Sequence, residues 1–364
     1  MRYITMGIKP FKSRQDLIDN LNNRLLTIPD NKKALQILTN LNYFQVINGF
    51  ENIFLTTVHP KKFNKVSISD FERLYYDNKK IAVAISRALD NFEERLKSSI
   101  SHHFSQAYCI GINNTMQYTN KSNYRNDSEF DGYPLNSEQY KKIISTFQTN
   151  DCQKKFLFFQ PWFLKNLVKF NDHIDQSFYR DSQYTAPCGV ATYRPDLHVA
   201  VPLWVSIETL PFGSLLYLCH YLKDTEMNNV LNDFGLTAND RIIFLNALDV
   251  LKELRNHIAH GNLLLRFQTP SYIKFTNNFV NRFGLNPKSR GTTSDNRRVS
   301  YASKIYLYDA LKILHHFDST KAVIKQFKKM FYHNMKNMNH SEIYNNRILK
   351  LINAPSYRAL KSLT

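Results

Sequence analysis

Apolar residues recur three and four positions apart along most of this chain, and the alternation of a half-buried strand is scarce. The longest run is Leu74, Ile81, Ile85, Leu89, Phe92, Leu96, Ile100 and Phe104. It predicts one helix from a cap at Ser69 or Asp70 to about residue 108. Two shorter helices are expected at 13–26 and 31–42, split by Pro29 and Asp30, and a compact apolar and aromatic junction follows at 42–50. Residues 111–136 are rich in Asn, Ser, Asp and Gly and read as a loop. Residues 137–169 read as helix interrupted by Pro161, and 181–195 as a turn-rich linker. Helices resume at 202–222, 224–233 and from Ile242 onward. A polar, basic loop is expected over 277–300, then helices near 303–316, 320–334 and 341–353. The strand-like run 199–201 is too short to count, and no internal repeat is visible. The chain is therefore expected to be all-α.

In the helix from Ile242, the apolar face is Ile243, Leu245, Leu248, Val250, Leu251, Leu254 and Ile258. Asn246, Asp249, Lys252, Glu253 and Asn256 suit a wetter face. Thr237 or Asn239 suits the start, and Gly261 the left-handed residue that often ends a helix. The last turn and its exit read Leu254-Arg255-Asn256-His257-Ile258-Ala259-His260-Gly261. Asn256 and His260 are four apart and share a face. Arg255 and His260 are five apart, roughly 140° around the helix at about 100° per residue. A joint site then needs the Arg side chain to wrap, the helix to deform, or two copies to meet across a two-fold axis. An imidazole, an amide and a guanidinium this close suit acid–base work at a phosphate ester. His260 supplies an acid or base near neutral pH, with His257 in reserve. Arg255 offers fixed donors to phosphate oxygens, and Asn256 orients the imidazole or binds phosphate. The plainer alternative is that Arg255 and His260 hydrogen-bond helix ends or a dimer seam.

Charge sharpens this picture. Lys+Arg number 48 against 30 Asp+Glu, a net +18 over 364 residues. From Arg266 to the last residue there are 18 Lys/Arg and 4 Asp/Glu, so +14 of that charge sits in the final quarter. Such asymmetry suits nucleic acid or an anionic membrane. Lys321, Lys325, Lys328 and Lys329 follow helical spacing beside Val323, Ile324, Phe327 and Phe331, and Arg297 and Arg298 sit in a polar loop. These six cations are the candidate RNA-binding residues; a merely solvated face is the alternative. The four cysteines, Cys109, Cys152, Cys188 and Cys219, are scattered, which argues for a reducing compartment and against structural zinc. The N-terminus lacks a signal-like apolar run, and the stretch 199–222 is broken by Glu208, Pro211 and His220. A cytoplasmic protein with no membrane partner is expected.

Other constellations are weaker. Arg95 and His102 give a second Arg-to-His spacing, with six residues between, on a helix whose ordinary amphipathicity explains them better. His315 and His316 lack a carboxylate or Cys at ligand spacing, so neither metal nor cofactor is expected. Trp204 and Phe212 are expected in the core. No Gly-rich phosphate loop, Ser-His-Asp set or His-Glu-x-x-His is present, which argues against kinase, hydrolase and metalloprotease activity.

Read in order, several segments resemble the Abi-like family of bacterial abortive-infection proteins, of the AbiD/AbiF type. They are Lys9-Pro10-Phe11, Asn42-Tyr43-Phe44 with Gly49-Phe50, Phe92-Glu93, 202–208, Phe212-Gly213-Ser214-Leu215 and 254–260. The similarity runs from about residue 9 to 267. Lys97 stands where the family pattern leads one to expect Arg, and the chain beyond Phe267 is not covered. The resemblance implies the HEPN superfamily, whose helical bundles commonly dimerise and often cleave RNA without metal; some relatives work with a small non-coding RNA. It implies an N-terminal helical region at 1–66, then a HEPN-like bundle at 67–268 with loop-rich insertions near 111–136 and 181–200. A basic helical region follows at 269–364. The expected function is a homodimeric anti-phage endoribonuclease acting through Arg255, Asn256, His257 and His260. The alternative is a non-catalytic RNA-binding protein that forms a ribonucleoprotein with a small structured RNA.

Overall fold

A computed structural model describes residues 10–111, 114–125, 157–159, 202–270, 273–288 and 304–364. The described chain is all-α apart from one small hairpin. Helices α1 (Arg14–Asn23) and α2 (Asn31–Asn40) begin at side-chain caps, Ser13 and Asp30. The junction continues as a π-helical turn, Phe44–Asn48, into α3 (Gly49–Phe54). Strands β1 (Leu55–Val58) and β2 (Lys61–Phe63) then pair antiparallel, Leu55 opposite Phe63 and Val58 opposite Lys61. This hairpin was not expected, because Leu55-Thr56-Thr57-Val58 is too short to carry an alternation.

Helix α4 (Ile68–Tyr108) has 41 residues and contains neither Gly nor Pro. The expected cap is displaced: Ser67 donates from its N–H and Oγ to Asp70 Oδ2 at 2.9 and 2.8 Å, so the helix starts earlier than Ser69. All eight apolar positions of its predicted run are buried. After it come α5 (Leu203–Ser206), α6 (Phe212–Tyr221), α7 (Asp224–Asp233) and α8 (Arg241–Ala259). The segment expected as a loop from 277 instead opens with α9 (Asn277–Arg282), capped by Thr276, while 289–303 lies outside the described residues. Helices α10 (Leu307–Phe317), α11 (Lys321–Asn337), α12 (Ser341–Leu351) and α13 (Tyr357–Lys361) complete the fold. Most of the readings at 126–201 also lie outside the described residues.

The chain divides into two compact units. The first holds residues 1–86, 257–267 and 320–364; the second holds 87–256 and 268–319. In the second unit an aromatic cluster forms the centre. Phe92 lies 5.4 Å from Phe234 and 5.2 Å from Phe317, and Phe244 of α8 lies 5.5 and 5.7 Å from the same two rings. Phe212 joins them as expected, but Trp204 is 56% exposed, a correction to its expected core position. α5 is a single turn, too short to bury every side. Asn246 and Asp249, assigned to the wet face of α8, are also buried. Asn246 Nδ2 donates to the Lys274 carbonyl and its Oδ1 accepts the Thr276 N–H, so it serves as a buried linker to the next segment.

In the first unit, the junction helix packs against residues 257–267. A Cβ on Gly49 would run into Leu263 Cδ1. We expect Gly49→Ala to cost about 1–3 kcal/mol through overpacking, despite the better helix propensity of Ala. Urea denaturation of Gly49→Ala, Leu263→Ala and the double variant checks this: the Gly49→Ala cost should shrink once Leu263 is truncated.

Candidate functional site

Helix α8 follows a short 3-10 turn opened by Thr237, whose N–H and Oγ1 both donate to Asp240 Oδ2 at 2.9 and 2.8 Å, and it runs to Ala259. Its ending is a Schellman arrangement. Gly261 has φ +68°, its N–H reaches the Ile258 carbonyl at 2.9 Å, and the Asn262 N–H reaches His257 O at 3.2 Å. Gly261 is therefore the left-handed residue and His260 the cap.

The division between the two units falls between Asn256 and His257. On the second unit's side, Arg255 is exposed and Asn256 half-buried. On the first unit's side, His260 is exposed. Among the described residues, neither Arg255 nor His260 has a hydrogen-bond or ion-pair partner. His257 is engaged: its Nε2 lies 2.9 Å from the Leu263 carbonyl, and its ring meets Phe267 edge-on at 5.4 Å. A carbonyl only accepts, so Nε2 carries the proton. Burial lowers the His257 pKa, opposed by that hydrogen bond.

Two further hydrogen bonds within the first unit fix this turn, and a lysine lies beside it. Gln45, on the π-turn, donates to the Gly261 carbonyl at 3.3 Å. Buried Asn78 accepts the Leu265 N–H at 3.0 Å. A Cβ on Gly261 would lie 3.8 Å from Lys79 Nζ, which places an ammonium beside the helix end. Lys79 was not singled out in the sequence; its only signal is its place on α4.

The second Arg-to-His spacing lies in the second unit and lines an open cleft of about 340 Å³. Arg95 donates to the Phe317 carbonyl at 2.5 Å and lies 5.0 Å over the Phe234 ring. Ser99 Oγ and His103 Nε2 both meet Asp233 Oδ2, at 2.6 and 2.9 Å. Burial works against the Asp233 charge, but these hydrogen bonds and the two neighbouring imidazoles outweigh it and hold its pKa below the usual range. Ser99 gives its proton to the carboxylate, not to an imidazole, so this is no nucleophilic relay. Lys97 ties two resemblance segments together, contacting Glu93 at 3.1 Å and Glu208 at 3.5 Å.

The basic residues divide. Lys321, Lys325, Lys328 and Lys329 all lie on the exposed face of α11, opposite buried Val323, Ile324, Phe327, Met330 and Phe331. Arg297 and Arg298 lie outside the described residues. Among the described residues no cluster of three His, Cys, Asp or Glu is placed to hold a metal, and no helix is long and apolar enough to cross a membrane.

The family model described as Abi-like protein matches residues 36–266, well over half of the chain. The chain belongs to the Abi-like protein family. Membership supports a role in abortive infection, the bacterial response to phage. The match takes in the π-turn junction, the long helix and the Arg255–His260 segment, and stops before the basic helices. No curated protein and no solved structure matched this Abi-like chain.

Three histidines make a prediction about pH. Burial lowers the pKa of His220 well below 6.5, helped by Arg241 and Arg125, and burial also lowers those of His257 and His316. The unfolded chain then takes up protons below 6.5 that the folded chain resists. Folded stability from these groups is complete above 6.5 and is lost as pH falls toward their folded values. Thermal unfolding followed from neutral to mildly acidic pH should show this decline, and a shallower one in His257→Asn.

Proposed function

We propose that this Abi-like protein is an RNA-directed toxin of the HEPN type, a metal-independent endoribonuclease whose site is built from Arg255 and His260. The observation that carries the reading is the end of α8: a cap that leaves the Arg255 and His260 side chains exposed while His257 is held by a carbonyl. In the reaction, the ribose 2′-oxygen attacks the adjacent phosphorus and the bond to the 5′-oxygen breaks. The products are a 2′,3′-cyclic phosphate and a 5′-hydroxyl. His260 moves a proton at the attacking or leaving oxygen, and Arg255 faces the charge that builds on the non-bridging oxygens. Asn256 orients the imidazole or the phosphate. Five residues at about 100° each set Arg255 and His260 roughly 140° apart on a regular helix, so we place the working site across a two-fold axis between two copies of the chain.

His260→Ala and Arg255→Ala should each abolish RNA cleavage and growth arrest, with RNA affinity and melting temperature near those of wild type. Retained toxicity and cleavage in His260→Ala would falsify the catalytic role and leave the non-catalytic ribonucleoprotein reading.

The exposed lysines of α11 supply the RNA-binding surface in this reading. A-form RNA hides its base edges in a deep groove, so such a surface reads backbone, shape and loops. Each phosphate neutralised adds about 0.9 to the slope of log affinity against log salt on duplexes, and less on single strands. Changing Lys321, Lys325, Lys328 and Lys329 together to Gln should weaken binding of structured RNA and flatten that slope. Equal affinity and slope in a salt titration of the two proteins would reduce the stripe to a solvated face.

A further inference from the structure

The lysine stripe of α11 does not end in solvent. Lys321, Lys325, Lys328, Tyr332 and Met335 follow one another at spacings of four, three, four and three, so one exposed helix face passes from cations to an aromatic and a thioether. Tyr332 is 60% exposed and Met335 67%. Lys328 and these two residues form one wall of a groove of about 540 Å³ in the first unit. Asn345 and Asn346 of α12 and Tyr357 of α13 line it elsewhere, and Phe331 and Leu349 contribute apolar surface. Phe331 meets the Tyr357 ring edge-on at 5.2 Å, which fixes that aromatic. Asn345 Oδ1 accepts from Asn334 at 2.7 Å, and this bond orients the Asn345 amide.

The charge around the groove selects its occupant. The lining itself holds one cation, Lys328, and one carboxylate, Glu342, but the segment from residue 320 onward that carries it has nine Lys/Arg and only that carboxylate. A peptide or second chain needs only the apolar surface; a field this one-sided calls for a ligand that is anionic along one edge and flat and apolar along another. An unstacked nucleotide has both features. Aromatic faces accept a base of any sequence, and amides and a carboxylate meet its edge.

We propose that this groove seats an unstacked base of a single-stranded RNA segment whose phosphates run along Lys321, Lys325 and Lys328. Tyr332 and Met335 cover the base face, and the Asn345 and Asn346 amides meet its edge. Glu342, which also lines the groove, accepts from an exocyclic amine. The inference rests on the RNA-directed reading above and adds to it a place for a base outside the Arg255 and His260 segment.

The test compares two probes on the full chain: a short fluorescein-labelled single-stranded RNA and the same strand with abasic riboses. Tyr332→Ala and Met335→Ala change exposed side chains, and matching circular dichroism and melting temperature establish that they fold. The expected result is that wild type prefers the base-bearing strand and that Tyr332→Ala lowers that affinity about tenfold, leaving abasic binding unchanged. Unchanged affinity of both variants for the base-bearing strand overturns the groove assignment while the lysine reading stands. So does an equal loss on the two strands. Wild type that binds neither strand overturns this inference, and if it also fails to bind a structured RNA hairpin the RNA-directed reading falls with it. If that protein also self-associates in sedimentation velocity, and Tyr332→Ala does not, the groove belongs to a second copy of the chain.

Discussion

Everything proposed for the chemistry depends on how the chain leaves α8. A helix end presents carbonyls without partners, and here Gly261 adopts a left-handed conformation that lets its own N–H and that of Asn262 turn back onto them. Any residue with a Cβ is strained at that φ, so the turn is written into the sequence at one position. The turn alone would be a hinge. The His257 ring on Leu263, Asn78 on Leu265 and Gln45 on Gly261 make it a fixed corner. His260 is left as the exposed cap of that corner, with its backbone constrained on both sides.

The burial gradient along α8 explains why its last turn is available at all. Residues Ile243 to Leu251, and Leu254, are buried, with Phe244 locked among Phe234 and Phe317. From Arg255 onward no residue of the helix is buried. The π-turn at Phe44–Asn48 works at the same corner within the first unit. Gln45 on it donates to the Gly261 carbonyl, and Gly49 just after it lies close to Leu263.

The long helix, the two capped N-terminal helices, α7 and the glycine end of α8 were legible because each rests on local signals: period, cap residue and breaker. What was not legible depends on packing between distant segments. Asn246 has the look of a wet-face residue, yet it is buried because residues 274–276 return to bond it. Trp204 has the look of a core residue, yet it is exposed on a one-turn helix. Gln45, Asn78 and Lys79 carry no motif, and only the folded first unit brings them to the turn after α8. The lysine stripe was legible, but its continuation into Tyr332 and Met335 was not drawn, because the groove wall needs α12 and α13 to exist.

The family match ends at residue 266, and the α11 stripe lies beyond it. Under the reading proposed here, the cleaving residues sit inside the shared part of the chain and the RNA-holding cations outside it. Two such functions on separate elements are energetically close to independent: side chains with no shared partners contribute additively. Charge on α11 then sets how much RNA is held and how steeply salt releases it, while the corner at Gly261 sets whether a held strand is cut. A chain built this way can change its RNA by altering exposed side chains on α11 to α13, positions where substitution costs little stability. The same freedom is denied to the corner, where Gly49, Leu263, Gly261 and His257 are fitted to one another and a single added methyl group meets a neighbour.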